Sequence, residues 1–123
     1  QVHDFVNSEA FLAPMRTLTE EDAVARADCF ASNYAPGHFL TTHDDRHKKD
    51  DRVAAYLFGM TKTWDKSWGG HLAFFDDDGN VTSGFVPSFN TLNIFLVPQV
   101  HAVQLVSPFA GANRSNYLGW LQR

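Results

Sequence analysis

The sequence is short of the features that mark several protein classes. It has a single cysteine, Cys29, so an intrachain disulfide is ruled out and a reducing, cytoplasmic setting is expected. No apolar run approaches the roughly 20 residues that cross a bilayer, and no secretory leader is visible. Basic charge is not in excess: the formal net charge is −4, and no basic face emerges. Neither a nucleic-acid backbone nor a membrane is therefore an expected partner. Internal repeats and low-complexity tracts are absent, which argues against solenoids and linkers. Two glycosylation triplets begin at Asn80 and Asn113, and they carry no weight in a reducing compartment. The chain opens on Gln1 and not on Met, so it is read as an N-terminally truncated piece of a longer protein.

What is present fits one domain. A chain of 123 residues builds one core and not two. Eleven Phe and three Trp suit a sheet or a lined pocket. The first third reads as helical. Ser8 is placed to cap a helix through Phe11, Leu12 and Met15, with Pro14 limiting its length. Thr19 with Asp22 resembles a capping box for a second helix over 20–29, whose apolar stripe is Ala23, Val24, Ala27 and Phe30. From Tyr34 the period changes to two, predicting strands over 37–43, 52–60, 71–75, 91–97, 101–106 and 115–121. Asp76 to Asn80 reads as a hairpin turn. It superficially evokes a calcium loop, but the spacing of its Gly and of any distal Glu is wrong. Helices followed by many short strands predict an α+β, mainly β fold whose closed form is a jelly roll.

The chemistry starts at His43-Asp44-Asp45, which ends a strand and opens a charged loop. On an extended chain residues i and i+2 face the same side, so His43 and Asp45 are candidates for two ligands of one metal. Alone, such a triplet is more often a surface turn. His101 opens an apolar strand and supplies a third donor, though without His43 it reads as a hydrogen-bonded core histidine. Two His and one carboxylate leave adjacent metal positions open. That suits non-haem Fe(II), and zinc with water is the alternative. Arg114 begins the last strand. Inside an apolar barrel its planar fork calls for a carboxylate, whereas at a strand end it simply faces water.

Taken in order, His43-x-Asp45, His101 and Arg114 resemble the 2-oxoglutarate and Fe(II)-dependent dioxygenase superfamily, within its prolyl 4-hydroxylase-related branch. The flanking text carries the likeness further. The run from Tyr34 to His43 resembles the family's approach to the first ligand. Arg52 to Leu57 with Thr61-Lys62-Thr63-Trp64 resembles its next strand and turn. Trp68-Gly69-Gly70-x-Leu72 resembles its Gly-Gly turn, Pro87 to Leu92 the lead into the second His, and Arg114 to Trp120 the closing strand. Together these cover about residues 34 to 121.

The resemblance implies a double-stranded β-helix core over 34–123. A helical part over 1–33 would pack on one sheet, the whole forming a single catalytic domain. It implies Fe(II) on His43, Asp45 and His101, and 2-oxoglutarate with its far carboxylate on Arg114 and a hydrogen bond from Tyr34. O2 is the oxidant and ascorbate an auxiliary reductant. The implied reaction hydroxylates a prolyl residue in a protein or peptide and releases succinate and CO2. Trp120, Lys48 and Lys49 are substrate-pocket candidates, with the 44–51 loop as a lid. Core packing for Tyr34 and Trp120, and plain solvation for the loop, are the alternatives. The function alternatives are a hydroxylase of a free amino acid or other small molecule, and a non-catalytic jelly-roll binding module. A zinc hydrolase lacks an evident general base. Two departures stand out. His101 and Arg114 are 13 positions apart, which predicts a lengthened hairpin over 107–113. Gly59 stands where relatives often carry Tyr or Asn, which predicts one lost contact.

Overall fold

The computed structural model describes all of residues 1–123. Two helices, α1 (Val2–Val6) and α2 (Glu9–Thr19), precede nine strands: β1 (Arg26–Ala27), β2 (Phe30–Tyr34), β3 (Leu40–His43), β4 (Arg52–Gly59), β5 (Leu72–Phe75), β6 (Val81–Phe85), β7 (Thr91–Leu96), β8 (His101–Val103) and β9 (Arg114–Gln122). All pairings are antiparallel and form two sheets. One runs β1-β9-β4-β7 with β2 also on β9, and the other runs β3-β8-β5-β6. This is the mainly β, jelly-roll arrangement expected, with the helices on the five-stranded sheet. No helix is long and apolar enough to cross a membrane.

The period-two pattern of β4 explains the layering. Ala54, Tyr56 and Phe58 face the helices, where Tyr56 and Ala54 pack with Val6, Phe11, Leu12, Met15 and Leu121 in the main core. Ala55 and Leu57 alternate to the other face and line the interior between the sheets, and the irregularity between Arg52 and Ala54 breaks the alternation so that Arg52 lines it too. The apolar stripe of α2 at Phe11, Leu12 and Met15 is buried on that core. The helix runs five residues beyond Pro14, so Pro14 does not end it. Ser8 occupies the N-cap position, but its hydroxyl donates to Phe5 O at 2.7 Å and caps no backbone N–H.

The helix predicted over 20–29 does not form. Glu20 ends α2 in the left-handed conformation, φ 55°, with its N–H on the carbonyls of Arg16 and Thr17. Thr19 Oγ1 turns back to Met15 O at 2.8 Å, so it caps nothing that follows. Beyond it the backbone is satisfied by β9: Ala25 N–H donates to Gln122 O and Asp28 N–H to Trp120 O. Val24 and Ala27 are buried as predicted, but from an extended chain. Strand structure therefore begins at Arg26 and not at Tyr34, and the helical part stops at Thr19.

Two connections also differ. β6, a strand not anticipated, completes the hairpin turned at Asp76, whose carboxylate accepts from the N–H groups of Asp78 and Asn80. The predicted hairpin over 107–113 is instead a crossover, because β8 and β9 lie in different sheets.

Candidate metal and cosubstrate site

The site is built where β3 and β8 run side by side. His43 ends β3 and pairs in register with His101, which opens β8. The two rings stand 4.2 Å apart, and Phe95 packs at 4.5 Å against His101. Asp45 follows two residues after His43, past the end of β3, and its own backbone is not extended. Asp45 takes the left-handed conformation, φ 64°, which costs an Asp about 1 kcal/mol or more. That turn, and not strand alternation, returns its carboxylate to the face of His43.

The hydrogen bonds fix what each ring presents. His43 Nδ1 lies 2.8 Å from Thr41 O, and His101 Nδ1 lies 2.6 Å from Gln99 O. A carbonyl only accepts, so both Nδ1 atoms carry the proton and donate. In the neutral rings this leaves a lone pair on each Nε2. Those lone pairs face Asp45: His43 Nε2 is 3.2 Å from Oδ1, and His101 Nε2 is 3.2 Å from Oδ2. Lone pairs against a carboxylate repel unless a cation lies among them. The donor atoms all lie within 4.8 Å of one another, close enough for one ion. Without a metal a proton takes that place. Burial opposes the His101 imidazolium, yet the Asp45 carboxylate and the Gln99 carbonyl outweigh it and hold its pKa above the ordinary value. Burial likewise opposes ionisation of Asp45, but His101, then Trp120 and His43, pull its pKa below the ordinary carboxylate value. Two imidazoles and one carboxylate, each imidazole anchored through its second nitrogen, fit an Fe(II) centre.

The cavity beside these groups has a volume of about 460 Å³ and is also lined by Tyr34, Arg52, Arg114 and Trp120. Arg114 is 3% exposed. Its Nε donates to Gly70 O at 2.8 Å, and its guanidinium lies 5.5 Å from the ring of Tyr34, its cross-strand neighbour. Burial lowers its pKa, and no carboxylate of the chain offsets that, only the Tyr34 phenol. A buried cation with no anion of its own is a receptor for one. Burial raises the pKa of Tyr34, with Arg114 opposing, so the phenol stays protonated.

The fold thus brings His43, Asp45, His101, Arg114, Tyr34 and Trp120 to one cavity. Lys48 and Lys49 are exposed on the 44–51 loop and do not line it. Gly59 is filled from outside: a Cβ there would lie 1.8 Å from the backbone oxygen of Ser88, so that loop occupies the room a larger residue needs. Sequence reasoning missed Arg52, whose guanidinium lies 3.7 Å from the Trp120 ring centroid. Its sequence signal is one of place: like Arg114, it is a basic residue that opens a strand.

The family described as the 2OG-Fe(II) oxygenase superfamily matches residues 29–122. The chain belongs to this superfamily. Membership implies Fe(II), 2-oxoglutarate and O2 as its cofactor set. No curated protein matches the chain by sequence. Among solved structures it is similar to a Pseudomonas putida prolyl-4-hydroxylase, with 26% identity, a TM-score of 0.75 and coverage of 93% of this chain and 64% of that one. A 2OG-Fe(II) oxygenase family oxidoreductase from Burkholderia pseudomallei shares 13% identity with a TM-score of 0.77, covering 98% and 54%. A Phytophthora capsici prolyl 4-hydroxylase shares 16% with a TM-score of 0.73, covering 98% and 42%. The chain thus spans from about two fifths to just under two thirds of the length of these relatives.

Proposed function

We propose that the protein is a non-haem Fe(II)- and 2-oxoglutarate-dependent dioxygenase that hydroxylates a prolyl residue in a protein or peptide. The observation that carries this reading is the convergence of His43 Nε2, His101 Nε2 and an Asp45 carboxylate, with both imidazoles held by their Nδ1 protons. These three would hold Fe(II). When bound, the iron and 2-oxoglutarate supply the oxidising chemistry, with succinate and CO2 as co-products.

The chain's own part is binding and positioning. Arg114 is free to take the distal carboxylate of the diacid, and its burial makes that ion pair strong. Tyr34, still protonated beside it, donates a hydrogen bond to the same group. Leu57, Leu72, Phe95 and Val103 line the cavity and keep bulk water from the reacting atoms. On the 44–51 loop Arg46 pairs with Asp44, and Asp50 lies 3.8 Å from Arg52. Lys48 and Lys49 have no carboxylate partner, so an anionic residue near the target proline would be favoured there. Support for a prolyl target comes from the similarity to the Pseudomonas putida prolyl-4-hydroxylase.

The test is an anaerobic absorbance titration of metal-free protein with Fe(II), then 2-oxoglutarate. A keto acid chelated to Fe(II) gives a visible charge-transfer band, which should vanish in His43→Ala and weaken in Arg114→Ala. Mass spectrometry of proline-containing peptides, against free amino acids, then reads the substrate class. Absence of the band in folded, metal-loaded protein would sink the proposal.

A further inference from the structure

Asp45 has an unusual demand on its backbone. Its carboxylate bridges both imidazoles from a backbone with φ 64°, in the left-handed region. Strand pairing stops at His43, so no ladder hydrogen bond holds the turn. Two side chains hold that peptide instead: Asp44 Oδ1 accepts from the Arg46 N–H at 3.0 Å, a local turn bond, and Arg52 reaches the carbonyl from another element of the fold.

Arg52 is the first residue of β4, and its side chain is 14% exposed. Its Nη1 donates to Asp45 O at 3.0 Å. The plane of its guanidinium lies over Trp120, 3.7 Å from the ring centroid. Nη2 lies 3.8 Å from Asp50 Oδ2, at the far end of the same loop. Nε is buried and without a partner. Stacking thus fixes the plane, and the fork is aimed at one carbonyl.

We infer that Arg52 is the positioning residue for the carboxylate ligand: stacked on Trp120, it grips the Asp45 carbonyl and so holds the left-handed turn that aims the Asp45 carboxylate at the metal. The inference rests on the metal reading of His43, Asp45 and His101. It gives Arg52 an effect on metal affinity without any contact with the metal, as groups that orient metal ligands have elsewhere. It also gives Trp120 a task beyond lining the cavity, since its ring is the platform for the grip. Lysine cannot replace this arrangement, because an ammonium has neither the flat face nor the fork.

The experiment measures Mn(II) binding by calorimetry and amide hydrogen exchange by mass spectrometry. The proteins are wild type, Arg52→Met, Arg52→Lys, Asp50→Asn and His43→Ala. Arg52→Met is expected to weaken Mn(II) by about 10- to 100-fold and to speed exchange across 43–51, with β9 unchanged. Asp50→Asn, which removes only a long and partly exposed pair, should stay within about twofold of wild type. Where Arg52→Met loosens β9 as well, Arg52→Lys carries the test, with the same direction expected in affinity and in loop exchange. Equal Mn(II) affinity and equal loop exchange in wild type and both Arg52 variants overturn the inference while leaving the metal site standing. If wild type binds no Mn(II), or His43→Ala binds as well as wild type, the metal reading falls and this inference falls with it.

Discussion

Replacing Arg114 by Met separates what the buried cation costs from what it holds. The guanidinium is 3% exposed, bonds to Gly70 O at 2.8 Å and has no carboxylate partner. Removing it relieves a desolvation penalty of several kcal/mol per buried ion, reduced here because the group faces the cavity. It also strands the Gly70 carbonyl, which costs about 1–3 kcal/mol. The two effects oppose each other, so the ligand-free protein should keep its stability to within about 2 kcal/mol, roughly 8 °C in melting midpoint. Binding of 2-oxoglutarate should fare differently. Losing one partner of a buried charge pair costs about 2–5 kcal/mol, or roughly 30-fold to several thousand-fold in Kd. The assay is thermal unfolding in Mn(II) with and without 2-oxoglutarate. At about 100 times its Kd the diacid adds about 2.7 kcal/mol to wild type, a rise of roughly 10 °C at about 4 °C per kcal/mol. At that concentration Arg114→Met should rise by roughly 3 °C or less. Equal rises in the two proteins would refute the assignment of the distal carboxylate to Arg114. Collapse of the ligand-free variant would show a structural cation.

Other substitutions test other parts of the same reasoning. His43→Ala and His101→Ala should both abolish Mn(II) binding, read by calorimetry. Their stabilities should diverge: His101 is buried and packs against Phe95 and Phe74, so its loss should cost about 2–4 kcal/mol in chemical denaturation, against under about 1 for the more exposed His43. Gly59→Ala forces a Cβ to 1.8 Å from Ser88 O, on a segment also tied by the Asn90 N–H to Gly59 O. Its melting midpoint should fall by roughly 5–12 °C, the effect of about 1–3 kcal/mol of overpacking. Reversing Lys48 and Lys49 to Glu should raise KM for a peptide with acidic residues beside proline and leave kcat unchanged. The effect should shrink as salt rises through about 0.15 M.

Some of this architecture was legible because the residues had few alternatives. β4 and β7 are dense in aromatic and branched side chains, and the core buries β4 on both faces, so the pattern could only be sheet. His43, Asp45, His101 and Arg114 stood out as polar groups at the ends of apolar runs, and the fold brings all four to one cavity. What failed was decided by distant partners. The stripe Ala23, Val24 and Ala27 has helical spacing, yet β9 offers that backbone its hydrogen bonds 90 or more residues away in sequence. β6 is exposed along its whole length, so burial left no alternation to read, and Ser83-Gly84 looks like a turn. The 107–113 segment reads as a hairpin in the sequence because nothing local tells a turn within a sheet from a crossing between sheets. Arg52 opens the predicted 52–60 strand, and nothing local names a partner for its guanidinium. Only the folded chain shows it stacked on Trp120.

The charges of the cavity suggest how its two ligands depend on each other. The fixed groups are nearly balanced, with one negative charge on Asp45 and one positive on Arg114; Arg52 sits over Trp120 beside Asp50. A divalent metal alone, displacing the proton held among His43, His101 and Asp45, leaves the cavity with two uncompensated positive charges, and the diacid alone, with that proton kept, leaves one negative charge. Together they restore neutrality. Unbalanced charge is costly in a site with apolar walls, so each ligand should bind more tightly when the other is present. The coupling should be about 1–3 kcal/mol, or roughly 5- to 150-fold, and equal in both directions by linkage. Calorimetry can measure the Mn(II) Kd with and without 2-oxoglutarate, and the 2-oxoglutarate Kd with and without Mn(II). A diacid that binds metal-free protein as tightly as metal-loaded protein would contradict this. It would mean that Arg114 and Tyr34 alone anchor it, with the His43, Asp45 and His101 cluster outside its reach.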